Sequence, residues 1–124
     1  MRVEYVHTGA GDASLLRLFN FTRADLADLI AAFRTLAATG IDLRLAPGDF
    51  LTGLNLRTLN ARSSDEDLGI VPQEQDAFDW VLTPESWRVV ADRAGALIPS
   101  DPRAFQWLDE SSSISVLLSQ TGEW

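Results

Sequence analysis

Cysteine and lysine are both missing from this 124-residue chain, and histidine occurs once. Without cysteine there is no disulfide, no thiol nucleophile and no thiolate metal site. Without lysine the commonest side-chain amine for catalysis is gone, and so is the lysine of a P-loop. His7 stands alone near the N-terminus. Zinc sites built without cysteine need two or three histidines, and a Ser-His-Asp relay needs a nucleophile motif that does not accompany it. It reads as an ordinary strand-end residue. Long apolar runs are also lacking: none approaches the ~20 residues of a membrane span. Met1-Arg2-Val3-Glu4-Tyr5 has neither the apolar core nor the cleavage site of a signal peptide. The Asn20-Phe21-Thr22 triplet is then an accidental glycosylation match, and the expected setting is cytosolic.

Hydrophobic residues make up 46% of the chain and charged residues 23%, which is ordinary usage for one globular domain spanning 1–124. The formal net charge is −8, which argues against nucleic acid as a partner, because phosphate binding needs a basic footprint. All ten basic side chains are arginine, a composition typical of GC-rich, bacterial-like coding. The charge is uneven. Residues 1–62 carry seven arginines and six acids, whereas residues 63–79 carry six acids and no base.

The clearest architectural signal is Phe78 to Ala91. Phe78, Trp80 and Leu82 alternate as a strand, then Thr83-Pro84-Glu85 starts a helix. Threonine caps, proline takes the first turn without wasting a donor, and glutamate complements the dipole. Trp87, Val90, Ala91 and Ala94 form the apolar face of a helix near 84–95. A second helix is expected near 23–39, with Thr22 and Asp25 as a capping box. Leu26, Leu29, Ile30, Phe33, Leu36 and Ala37 form one stripe, and Gly40 closes it. Strands are expected at Val3–His7, Ser14–Phe21, Ile41–Leu45 and Leu51–Arg62, with a short edge strand at Leu68–Val71. Ala104–Leu108 and Ile114–Leu118 read as a hairpin. Ser14–Phe21 is apolar on both faces and so should be central in its sheet. Together these predict an α+β fold: a mostly antiparallel sheet of about five to seven strands with the two helices packed on one face.

Few residues carry chemistry. Gly9-Ala10-Gly11-Asp12-Ala13-Ser14 is glycine-rich, as phosphate loops are, but it leads into a strand and not a helix N-terminus, so it reads as a turn. Asp79, Asp109 and Glu110 lie beside tryptophans. A hydrolytic carboxylate pair needs an apolar cleft that the sequence does not place, so they read as surface carboxylates. Trp80, Trp87 and Trp107 fit core faces. Trp124, at the end of the sequence, reads as packing back on the domain or as an anchor for a partner.

The acidic segment is the one charge feature carried forward. Asp65, Glu66, Asp67, Glu74, Asp76 and Asp79, with Trp124, are the candidate partner-binding residues. The spacing does not match a calcium loop, and no metal or other cofactor is implied. The favoured function is a small non-catalytic interaction domain that presents an acidic surface to a basic protein. Inhibitors and immunity proteins offer the analogy, by size and charge alone. One alternative is a self-associating domain that pairs through an edge strand or Trp124. Another is a small-molecule binder or enzyme that uses carboxylates and arginines.

Overall fold

Helix α1 (Arg23–Thr39) begins and ends where its local chemistry dictates. The Thr22 hydroxyl accepts from the Asp25 amide at 3.1 Å, and the Asp25 carboxylate accepts from the Thr22 amide at 3.0 Å. Two otherwise orphaned donors are thereby satisfied. Gly40, in the left-handed region at φ 66, donates its amide to the Leu36 carbonyl and ends the helix. Leu26, Leu29, Phe33 and Leu36 form the buried stripe. Helix α2 (Pro84–Gly95) is capped by Thr83, with proline in its first turn, and buries Trp87, Val90, Ala91 and Ala94.

The computed structural model describes residues 1–7, 14–97, 101 and 103–120. The Gly9–Gly11 turn and Trp124 lie outside the described residues. Among the described residues nine strands accompany the two helices: β1 (Arg2–Val6), β2 (Ser14–Phe19), β3 (Leu43–Ala46), β4 (Thr52–Gly53), β5 (Thr58–Ser63), β6 (Gly69–Pro72), β7 (Ala77–Leu82), β8 (Phe105–Asp109) and β9 (Ile114–Ser119). The α+β class is as expected, but the strands divide into two sheets. One has the order β4-β1-β2-β9-β8, the other β3-β5-β7-β6. Both are mixed. β1–β2, β8–β9, β3–β5 and β6–β7 are antiparallel, while β1–β4, β2–β9 and β5–β7 are parallel. β2 is the central strand of its sheet, as its two-sided apolar pattern implies.

The expected strand Leu51–Arg62 is corrected by this division. Its first part, β4, pairs with β1, and its second, β5, lies in the other sheet. Asn55 marks the break. Its side-chain oxygen accepts from the Tyr5 amide at 2.8 Å and its amide nitrogen donates to the Tyr5 carbonyl at 2.7 Å. A side chain thus completes the β1 ladder where the backbone leaves it.

Both sheets and both helices contribute to one hydrophobic cluster. Phe33, Trp80 and Trp87 meet at its aromatic centre. Phe33 and Trp80 lie edge to face at 5.4 Å, as do Trp80 and Trp87 at 4.9 Å, and Phe33 stacks on Trp87 at 5.7 Å. These offset and T-shaped arrangements suit the ring quadrupoles. Trp87 also donates its indole N–H to the Arg62 carbonyl at 3.0 Å, tying α2 to β5. Trp107 differs from the expectation. It is only half-buried, while its neighbour Leu108 is fully buried. No helix among the described residues is long and apolar enough to cross a membrane.

Candidate functional site

The acidic segment does not fold into one continuous face. Asp65 and Glu66 sit exposed in the turn from β5 to β6, and Glu74 and Asp76 sit exposed in the turn from β6 to β7. The four residues of β6 separate the two turns, about 13 Å at the usual rise of a strand. The second turn carries positive φ at Gln75 (54°) and Asp76 (61°). Arg57 steadies it, donating side-chain N–H groups to the Gln75 and Glu74 carbonyls and its amide to the Asp76 carbonyl.

The remaining two acids are tied into the fold. Asp67 accepts the Thr83 amide and the Ser86 hydroxyl, each at 2.8 Å, and so shares with Thr83 the capping of α2. The Thr83 amide bond, helped by Ser86, holds the Asp67 carboxyl below the usual carboxylate range, against the smaller effect of burial. Asp79 lies between Phe78 and Trp80 but on the opposite face of its strand, with its side chain 15% exposed. Arg62 bridges it to Asp42, with contacts of 3.3 Å to each. A shallow groove of about 350 Å³ runs here, bordered by Asp42, Arg44, Asn60, Arg62 and Asp79. Its two acids and two arginines leave it without a strong sign.

A second concavity joins the two sheets to α2. The turn between β8 and β9 comes against β6. Ser112 accepts the Ile70 amide at 3.2 Å, and its hydroxyl lies 3.3 Å from the Ile70 carbonyl. An edge strand that would otherwise offer open backbone groups is covered at this point. The contact is close enough to require Gly69, whose φ is +71 and where a Cβ would lie 2.8 Å from Ser111 Oγ and Ser112 Cβ. Beside this junction lies a cleft of about 390 Å³, with Asp67 and Ser86 on one side and Asp109, Glu110 and Ser111 on the other.

Asp109 is the residue the sequence misplaces. It is 6% exposed and not a surface carboxylate. The β8–β9 register shifts between Trp107 and Asp109, and an irregularity of this kind re-aims the following side chain. One carboxylate oxygen accepts the Trp80 indole N–H at 2.8 Å, and the other accepts the Ser111 amide and hydroxyl at 2.9 and 2.6 Å. Two signals point to it in retrospect. Asp-Glu-Ser is the composition of an Asx-type turn, and a tryptophan buried on a core face needs an acceptor for its N–H.

His7 Nδ1 lies 2.8 Å from Ser14 Oγ, and the imidazole stacks on Tyr5 at 6.3 Å. No carboxylate is bonded to that imidazole among the described residues. Among the described residues no three histidine or acidic side chains are grouped to hold a metal ion. Comparison of the chain with protein-family models, with curated proteins and with solved structures found no match. Asp67, Asp109 and Glu110 line a cleft with an apolar floor, and the acids at 74 and 76 sit in a separate turn.

Proposed function

We propose that the protein is a non-catalytic interaction domain that binds a basic protein through the carboxylates of residues 63–79. One observation carries this reading. Asp65, Glu66, Glu74 and Asp76 are exposed, and none forms an ion pair with another described residue. Glu4 pairs with Arg17, Asp25 with the N-terminal ammonium, and Asp42 and Asp79 share Arg62, while Asp28, Asp49, Glu85, Asp92, Asp101 and Glu110 form no ion pair with a described residue either; what sets 63–79 apart is that it holds six acids and no base. Surface charge predominantly of one sign accelerates encounter with a partner of the other sign and disfavours like-charged competitors. Asp67 and Asp79 have structural partners, so the recognition role narrows to the other four acids. Affinity capture from the source cell tests this. The intact protein should retain a basic protein that a variant carrying Asp65→Lys, Glu66→Lys, Glu74→Lys and Asp76→Lys does not. Equal retention by the variant, once its native circular dichroism is verified, would contradict the reading.

A second reading, self-association, is favoured by Ile41 and Leu43, which are 69% and 37% exposed at the β3 edge of the second sheet. Sedimentation over a range of concentrations decides it: a strict monomer rules it out.

A further inference from the structure

We propose that the cleft between α2 and the β8–β9 turn receives a single arginine or lysine side chain of the partner. This rests on the proposed binding of a basic protein and gives it a place. Leu82, Val90 and Leu108 supply an apolar floor, and Val89 at the rim is 44% exposed. A long basic side chain lays its methylene stem on such a surface and keeps its charged head among polar groups. The head would meet carboxylates: Asp67, Asp109 and Glu110 line the cleft against one cation, Arg93. That cation is partly engaged, donating to the Leu108 carbonyl at 3.3 Å.

The sharper point is Asp109. It is a nearly buried carboxylate in the wall of the cleft, and it forms no ion pair with a described residue. A buried charge is most stable when an opposite charge faces it. The Asp109 oxygen bonded to Trp80 accepts that one bond and has a second lone pair for a further donor. An incoming guanidinium or ammonium group supplies both the donor and the countercharge. A volume of about 390 Å³ suits one long side chain, near the lower end of the usual range for ligand sites.

The Trp80 indole N–H, bonded to Asp109, is a built-in reporter. NMR titration of the intact protein with the capped tripeptide acetyl-Ala-Arg-Ala-amide, and with its neutral citrulline counterpart, reads it directly. The arginine peptide should shift the Trp80 indole resonance and the amides of residues 108–111, and the citrulline peptide should not. Glu110→Gln should weaken binding about two- to fivefold, the range for losing one exposed charge partner. Asp28→Asn, at an exposed position of α1, should leave the response at the cleft unchanged. An unmoved indole, or an equal response to citrulline, overturns the assignment. Arginine-peptide shifts confined to residues 65–66 and 74–76 also overturn the cleft, while leaving the acidic-surface reading standing.

Discussion

Gly69 and Trp80 carry more of the architecture than their neighbours, for different reasons. Gly69 combines a left-handed backbone with a contact that leaves no room for a methyl group. Gly69→Ala should therefore cost about 1–3 kcal/mol, measured by denaturant unfolding, with a lower midpoint and an unchanged slope. Trp80 fills the aromatic centre and also supplies a hydrogen bond to buried Asp109. Trp80→Phe keeps most of the ring and removes the donor, leaving a buried carboxylate one partner short. The expected loss is about 1–3 kcal/mol. A loss near zero in the same unfolding experiment would mean that water replaces the indole. The Asp109 role was hidden in the sequence because it depends on a register shift in β8–β9 and on a partner 29 positions away. The local Asp-Glu-Ser pattern marks only its turn bonds to Ser111 and encodes neither the shift nor the Trp80 partner.

The elements themselves divide by how local their determinants are. Both helices were legible to within a residue or two, because threonine caps, a first-turn proline, Gly40 and the apolar stripes are all short-range signals. Thr22→Ala should accordingly cost about 1 kcal/mol of stability by thermal or denaturant melting. At α2 the cap is shared, since Asp67 adds a second acceptor from outside the helix. Asp67→Ala should destabilise by a similar amount, about 1 kcal/mol at neutral pH. The sign of its pH dependence follows from linkage. The folded-state pKa of Asp67 is depressed, so its charge-dependent contribution is full above the unfolded value of about 3.9. That contribution is lost as pH falls through the lowered folded value. Paired melts of Asp67→Ala and the unmodified protein should therefore converge below about pH 4. Melts that stay equally far apart at all pH values would show that the carboxylate charge contributes nothing. The strand boundaries at 51–62 were not legible, because Leu51–Arg62 has enough β-forming character for one strand. What splits it is pairing with β1 on one side and with β3 and β7 on the other.

Across the whole molecule, the junction of β6, α2 and the β8–β9 turn brings Asp67 of the acidic segment beside Glu110 and Asp109. Sequence showed that residues 63–79 hold six acids and no base, but not that two of the six serve the fold. Asp67 and Asp79 read like the rest until their partners, Thr83 and Arg62, are placed in space. The α+β class followed from the order of helices and strands. The partition into two mixed sheets did not, because parallel pairs such as β2–β9 join segments a hundred residues apart. On the proposed reading, the exposed carboxylates at 65, 66, 74 and 76 draw in a basic protein. It is tested most directly by the rate of association with the captured partner at low and high salt. The same measurement is made on a variant carrying Asp65→Asn, Glu66→Gln, Glu74→Gln and Asp76→Asn. The account predicts fast association that falls steeply as salt rises, and a slower, flatter dependence for the variant. Association that is insensitive to salt, or identical in the two proteins, would contradict it.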